Sequence, residues 1–166
     1  MIPRLCPSYS LSQLCGALFQ RDHSAVERFE RSIAEKFNYG HSIFFPLGRA
    51  GLYCLLKVLG WAEEDIVVPA YTCVVVPRAI ALSGNRPRFA DCDRKSFNVP
   101  ASNLKKALNH NARMVILTPL FGYPIDRSAC EMLIADTCPG AFVLYDAAHA
   151  FGVTDADGFQ FKEADA

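Results

Sequence analysis

The chain has 166 residues, of which 51% are hydrophobic and 20% charged, a composition typical of a folded domain with a buried core. Lysine and arginine together number 17, as do aspartate and glutamate, so the zero net charge gives no support for a nucleic-acid partner. No apolar run is long enough to cross a membrane, and the N-terminus lacks the basic head and apolar stretch of a signal peptide.

The first predicted helix covers residues 24–37, where apolar residues recur at the spacing of one helical face. We expect Ser24 to cap this helix, with Glu27 completing a capping box. Asn38 and Gly40 are expected to end it.

From residue 42 onward, short apolar runs alternate with helical patterns. The predicted strands are residues 42–45, 65–68, 87–90, 114–117 and 141–145. The predicted helices are residues 49–59, 74–82, 102–108 and 126–136. This alternation predicts an α/β fold with a parallel sheet covered by helices on both faces. Residues 154–166 show no clear pattern.

The seven cysteines form no C-x-x-C pair and lie mostly in apolar segments, for example Cys54, Cys73 and Cys130. This usage predicts reduced, buried thiols in a cytoplasmic protein. The four histidines lie far apart in sequence, so we predict no metal site.

Ligands of parallel α/β sheets bind beyond the carboxyl ends of the strands, which selects three places in this chain. Asp146 follows the last predicted strand, where a carboxylate either contacts a ligand or caps the next turn. Residues 48–51 open a helix with small side chains that expose backbone N–H groups to an anion, although glycines in such turns often serve only to turn the chain. Tyr71 either stacks on a planar cofactor or covers the core.

Six segments, taken in order, resemble the DegT/DnrJ/EryC1/StrS aminotransferases. They are Phe29-Glu30 with Ala34 (F-E-x-x-x-A), residues 45–52 (S-G-T-x-A-L), 65–72 (D-E-V-I-x-P-x-Y-T), 84–91 (G-x-x-P-x-F-x-D), 120–126 (H-x-x-G-x-P-x-D, without its histidine) and 145–150 (E-D-A-A-Q-A). The resemblance implies a pyridoxal-phosphate enzyme of fold type I. Residues 1–166 would form the N-terminal part of its three-layer α/β/α large domain, with residues 1–23 as an N-terminal arm and helix.

The resemblance also implies roles at the last strand end. Asp146 would hold a proton on the ring nitrogen of pyridoxal phosphate, because an opposite charge favours the protonated form. His149 occupies the position that contacts the phenolic oxygen of the ring, where glutamine is common in the family.

Five further residues would complete the cofactor site by the same resemblance. Gly48, Arg49 and Ala50 would hold the phosphate, with Arg49 standing where threonine is usual. Cys73 occupies the position of an aromatic residue that stacks on the ring, so either Tyr71 replaces that aromatic or the stacking is weaker.

The Schiff-base lysine of the family would lie beyond Ala166, and Lys162 is out of register with it. We therefore expect this chain to contain no catalytic residue and to be inactive alone, with the rest of the large domain and the small C-terminal domain also missing. The full-length form would be a homodimer that transfers an amino group from an amino acid to a nucleotide-linked keto-sugar. The alternative is a non-catalytic or regulatory protein that keeps the fold.

Overall fold

The computed structural model describes residues 9–19, 24–151, 154–155 and 158–159. Its helices are α1 (Leu11–Phe19), α2 (Ala25–Phe37), α3 (Gly48–Val58), α4 (Val75–Leu82), α5 (Ala101–Ala107) and α6 (Arg127–Thr137). Its strands are β1 (Asp65–Pro69), β2 (Arg86–Ala90), β3 (Ala112–Leu117), β4 (Phe142–Tyr145), β5 (Thr154–Asp155) and β6 (Gly158–Phe159).

The first four strands form one parallel sheet in the order β2-β1-β3-β4. A helix connects each strand to the next along the chain, as parallel pairing requires. Because the chain crosses back after every strand, all four carboxyl ends lie at the same edge of the sheet. The predicted α/β class is confirmed.

The side chains of alternate residues in the central strands pack into two hydrophobic cores, one on each face of the sheet. Ile66 and Val68 of β1 pack with α3 and α4 on one face, whereas Val67 packs with α5 and α6 on the other. Since successive side chains of a strand point to opposite faces, a strand covered on both faces is apolar at consecutive positions, as residues 66–68 are. The continuous apolar runs of β1 and β3 therefore reflect a three-layer arrangement around a shared sheet.

Residues 42–45 do not form the predicted strand. They run beside α2, where the Ser42 hydroxyl donates to the carbonyl oxygen of Glu30 at 2.6 Å. The carboxylate of Glu30 accepts a hydrogen bond from the backbone N–H of Phe44 at 2.7 Å. A short apolar run can pack against a helix as well as join a sheet, and these bonds to α2 decide between the two.

The capping box predicted for α2 is also wrong. Ser24 has φ −96° and ψ 3°, rather than the extended backbone of a capping residue, and its side chain caps no backbone amide. Its hydroxyl instead accepts a hydrogen bond from the Arg28 guanidinium. The predicted end is confirmed, because Asn38 terminates the helix in the left-handed conformation with φ 58°.

The remaining predicted elements occur within about two residues of their predicted bounds. The antiparallel pair of β5 and β6 was not predicted, because two residues on each strand are too few to show a period. Lys162 and the other residues after 159 lie outside the described part of the chain. None of the helices in the described residues is both long and apolar enough to span a membrane.

Candidate functional site

Hydrogen bonds at the carboxyl edge of the sheet extend the strand pairing into the loops. Beyond β1, the N–H of Ala70 donates to the carbonyl oxygen of Ala90 at 2.8 Å. Beyond β4, the N–H of Asp146 donates to the carbonyl oxygen of Leu117 at 2.9 Å. The sheet therefore fixes the starting points of the loops that carry Tyr71 and Asp146.

Four rings from four loops form a cluster above this edge, here called the aromatic cluster: Tyr71, Phe97, Phe121 and His149. The ring centroids of Tyr71 and Phe97 lie 5.4 Å apart, and those of Phe97 and Phe121 lie 5.6 Å apart. Phe121 also lies 5.5 Å from the His149 ring. The three carbocyclic rings remain 39% to 52% exposed, so the cluster presents an open aromatic surface. The structure thus joins two predicted site residues, Tyr71 and His149, through two phenylalanines that the sequence did not single out.

Phe97 and Phe121 both adopt the left-handed backbone conformation, with φ 61° and φ 57°. This conformation costs a residue other than glycine roughly 1–2 kcal/mol, because Cβ crowds the following carbonyl oxygen. Bulky residues in this region are uncommon and concentrate at functional sites. Two of them in contact at the carboxyl edge of a parallel sheet mark a candidate binding surface.

Asp146 caps a turn with one of its carboxylate oxygens. Oδ1 accepts a hydrogen bond from the backbone N–H of Ala148 at 3.1 Å, and no helix begins in residues 147–151. Among the described residues nothing donates a hydrogen bond to Oδ2. The half-buried carboxylate therefore shapes the turn with one oxygen, and its contact with a ligand through the other oxygen stays a prediction.

Tyr145, the residue before Asp146, is held by α6. Its hydroxyl donates to the carboxylate of Glu131, which also accepts from Arg127 Nε at 3.3 Å and from Arg127 Nη2 at 3.1 Å. The Arg127 guanidinium lies 4.9 Å from the centre of the Tyr145 ring. Burial, followed by the hydrogen bond to Glu131, raises the pKa of Tyr145 above its ordinary value, so the hydroxyl stays protonated. These contacts anchor the end of β4, from which the Asp146 turn departs.

Two buried hydroxyl oxygens at the same edge have no hydrogen-bond partner among the described residues. They are Thr72 Oγ1 and Thr118 Oγ1, which follow β1 and β3, two neighbouring strands. Thr118 is only 6% exposed. Buried polar groups are normally hydrogen-bonded, so both hydroxyls are available to a bound polar molecule.

The predicted phosphate turn opens α3. The backbone N–H groups of Gly48 and Arg49 are among those that an α-helix leaves unpaired at its start, and the Arg49 side chain is exposed. A cavity of about 560 Å³ lies against this turn and reaches Phe151, two residues after His149. A Cβ atom on Gly51 would lie 3.1 Å from the Phe45 ring, so the absence of a side chain lets that ring pack against the helix.

Cys73 differs from its predicted setting, because its side chain is exposed rather than buried. Among the described residues no ring contact or hydrogen bond joins its side chain to the aromatic cluster. Cys130 is buried as expected. The described residues include no group of three or more His, Cys, Asp and Glu side chains arranged to hold a metal ion.

Comparison with known proteins identifies relatives of this chain. The sequence pattern of the DegT/DnrJ/EryC1/StrS aminotransferase family matches residues 13–163. A dTDP-4-amino-4,6-dideoxy-D-glucose transaminase of Shigella dysenteriae is 30% identical over 141 residues, which are 84% of this chain and 37% of that protein. A GDP-perosamine synthase of Escherichia coli O157:H7 is 27% identical over 128 residues, 76% of this chain and 35% of that protein.

The crystal structure of 3-amino-5-hydroxybenzoic acid synthase has the same fold, with a TM-score of 0.78 and 25% identity over 88% of this chain and 40% of that one. The chain thus spans little more than a third of the length of the curated relatives described here. The matched residues nevertheless include every strand of the parallel sheet and the loops at its carboxyl edge. The chain belongs to the DegT/DnrJ/EryC1/StrS aminotransferase family.

Proposed function

We propose that this chain forms the cofactor-binding part of a pyridoxal-phosphate-dependent sugar aminotransferase. The observation that carries the proposal is the turn after β4, which holds Asp146 and brings His149 against Phe121. Family membership supports it, and so do the sugar-related names of the two curated relatives.

The residues at the carboxyl edge suit the parts of this cofactor. A protonated pyridine ring needs a carboxylate for its nitrogen and an apolar surface for its face, which Asp146 Oδ2 and the aromatic cluster offer. Its polar substituents need partners, and the hydroxyls of Thr72 and Thr118 have none in the part of the chain that the structure describes. Its phosphate needs unpaired N–H groups, which the start of α3 supplies.

Pyridoxal phosphate supplies an electron sink when it is bound. In this proposal Asp146 keeps a proton on the pyridine nitrogen, because a nearby carboxylate favours the protonated ring. His149 contacts the phenolic oxygen. The rings of Tyr71, Phe97 and Phe121 provide the apolar surface that Cys73 cannot provide.

At the start of α3, the unpaired backbone N–H groups of Gly48 and Arg49 bind the phosphate, and the helix dipole adds to the attraction. The N–H of Ala50 donates to the carbonyl oxygen of Leu47 at 2.9 Å, so Ala50 would line the phosphate site without an unpaired donor. The exposed Arg49 guanidinium is free to turn toward the anion, where a charge-assisted pair would strengthen binding. These assignments follow the family pattern.

We propose that the enzyme transfers an amino group from an amino acid to a nucleotide-linked keto-sugar. It would act as a homodimer in the cytoplasm. The names of the relatives support the substrate class. We expect the residues at the carboxyl edge of the sheet to bind the ring and the phosphate of the cofactor by non-covalent contacts.

The test is a titration of the chain with pyridoxamine phosphate by isothermal calorimetry. This form of the cofactor carries an amine in place of the aldehyde, so its binding does not depend on a lysine. We expect saturable binding, and weaker binding of pyridoxamine without its phosphate. Absence of saturable binding would contradict the proposal, and equal affinity for the two ligands would remove the phosphate turn from it.

A further inference from the structure

Asn98 joins the two loops that carry the phenylalanines of the aromatic cluster. It is only 4% exposed and follows Phe97 in the loop after β2. Its Oδ1 accepts a hydrogen bond from the backbone N–H of Leu120 at 2.9 Å. Its Nδ2 donates to the carbonyl oxygens of Tyr123 at 3.0 Å and Pro124 at 3.3 Å. One buried side-chain amide therefore uses its acceptor and its donor group to hold the loop after β3.

The residues that these bonds fix are the strained ones. Phe97 directly precedes Asn98, and Phe121 directly follows Leu120, whose N–H is bound. Both phenylalanines are held at positive φ, and their ring planes meet at 80°. Because a left-handed phenylalanine relaxes to another conformation when its loop is free, the contact between the two rings depends on the bonds that tie the loops together.

Backbone hydrogen bonds close the loop after β2, and the Asn98 side chain of this loop contacts the loop after β3. The backbone N–H of Asp93 donates to the carbonyl oxygen of Asn98 at 2.8 Å, and the N–H of Phe97 donates to the carbonyl oxygen of Asp93 at 2.9 Å. The carboxylate of Asp93 accepts from the backbone N–H groups of Lys95 and Ser96, each at 2.9 Å. This compact turn presents Asn98 toward the neighbouring loop.

We propose that Asn98 is a positioning residue for cofactor binding. By bridging the two loops it holds the rings of Phe97 and Phe121 as one surface against which the cofactor binds, and it acts through those rings without touching the cofactor. The inference rests on the proposed function, since it concerns the same site.

The first test compares Asn98→Asp with the wild-type chain. Aspartate has the same shape and still accepts from Leu120, but it cannot donate to Tyr123 and Pro124. Loss of these bonds is expected to weaken binding of pyridoxamine phosphate about tenfold, because the two rings would then hold their binding arrangement in only roughly one tenth of the unliganded chains. The matched control is Asn103→Asp, because Asn103 Nδ2 donates to the carbonyl oxygen of Asp91 at 3.1 Å without reaching the loop after β3. We expect the control to keep wild-type affinity.

A double-mutant cycle with Phe121→Leu separates positioning from a general loss of stability. If Asn98 acts through the ring, Phe121→Leu weakens binding in the wild-type chain and adds little in the Asn98→Asp chain. Fully additive losses would overturn the proposal. If Asn98→Asp does not fold, Asn98→Ser replaces it in the same cycle, because serine removes the amide group without burying a charge.

Hydrogen exchange of the unliganded chain provides a readout that needs no cofactor. We expect the backbone N–H of Leu120 to exchange faster in Asn98→Ser than in the wild-type chain, and unchanged exchange would contradict the bridge. If the wild-type chain binds no pyridoxamine phosphate, the proposed function and the cofactor role of Asn98 both fail. If the wild-type chain binds it and Asn98→Asp binds it equally well, only the role of Asn98 is overturned.

Discussion

The rings of Phe121 and His149 lie 5.5 Å apart with their planes at 41°, although they belong to loops that follow different strands. They meet because β3 and β4 are parallel neighbours in the sheet, with Leu117 opposite Tyr145 at the ends of the pair. The two loops therefore start side by side. This contact connects the predicted position of His149 to an aromatic surface that only the fold assembles.

Asp146 provides the most direct test of the proposed cofactor site. We expect Asp146→Asn to weaken binding of pyridoxamine phosphate by about tenfold or more, because the amide cannot stabilise a protonated ring nitrogen by charge. Its Oδ1 can still accept from Ala148, so the turn should remain. The control is Asp136→Asn, which changes an exposed carboxylate near the end of α6. Equal affinity of the two variants for the ligand would remove Asp146 from its assigned role.

The backbone conformation of Phe121 should affect stability, and its ring should affect binding. Glycine has no Cβ strain at φ 57°, whereas alanine does. The unfolding free energy of Phe121→Gly is therefore expected to be about 1 kcal/mol higher than that of Phe121→Ala. Both variants lack the ring and should bind pyridoxamine phosphate more weakly than the wild-type chain. Urea unfolding and calorimetry measure the two effects. Wild-type affinity in either variant would show that the ring takes no part in binding.

Asp65 should make the stability of the chain depend on acid pH. It is buried at the opposite edge of the sheet, where Oδ1 accepts from Arg86 Nε at 2.9 Å and Oδ2 accepts from Arg88 Nη1 at 3.2 Å and from Asn109 Nδ2 at 3.3 Å. Burial by itself would raise the pKa of Asp65, but the hydrogen bonds and the two positive charges outweigh it and lower the pKa.

A lowered pKa in the folded state stabilises the fold at pH values above the unfolded pKa, near 4, and this contribution is lost as the pH falls through the folded pKa. We expect the unfolding free energy to decrease on acidification below about pH 4, and Asp65→Asn to remove part of that decrease. Asp91→Asn, which changes an exposed carboxylate, is the control. An unchanged pH profile in Asp65→Asn would contradict the prediction.

Ile80 tests the core between α4 and the sheet. It is fully buried among residues of α3, β1 and β3. Ile80→Ala should reduce the unfolding free energy by roughly 2–5 kcal/mol, through lost burial and the cavity left behind. Leu82→Ala, on the same helix but exposed, should change it by less than about 0.5 kcal/mol. Equal effects in chemical denaturation would show that α4 does not pack as described.

The cysteines should separate into reactive and protected groups. Burial, followed by the nearby carboxylates of Asp126 and Glu131, raises the pKa of Cys130 to about 11. Because the thiolate is the reactive form, Cys130 should react with a disulfide reagent at pH 8 at least on the order of 10² times more slowly than exposed Cys73. Mass spectrometry of labelled peptides identifies the modified sites, and unfolding in urea should abolish the difference. Rapid native labelling of Cys130 would contradict the buried position.

Features of the fold that depend on consecutive residues could be predicted from the sequence, whereas features that depend on contacts between distant segments could not. The apolar runs of β1 and β3 and the helical periods between strands predicted a parallel α/β sheet, because burial on both faces leaves a pattern in consecutive residues. The same reasoning placed Asp146 at a strand end, since the carboxyl ends of parallel strands collect ligands. It failed at residues 42–45, where the side chain of Glu30 on α2 binds the backbone and decides against a strand.

The sequence by itself therefore determined the fold class, the sheet and the strand ends at which a site would form. Only the tertiary structure decided which side chains meet there. The left-handed backbones of Phe97 and Phe121, and the bridge that Asn98 makes between their loops, arise from contacts between segments that are far apart in the chain. Short-range patterns carry no record of such contacts, because they depend on how neighbouring strands bring separate loops together.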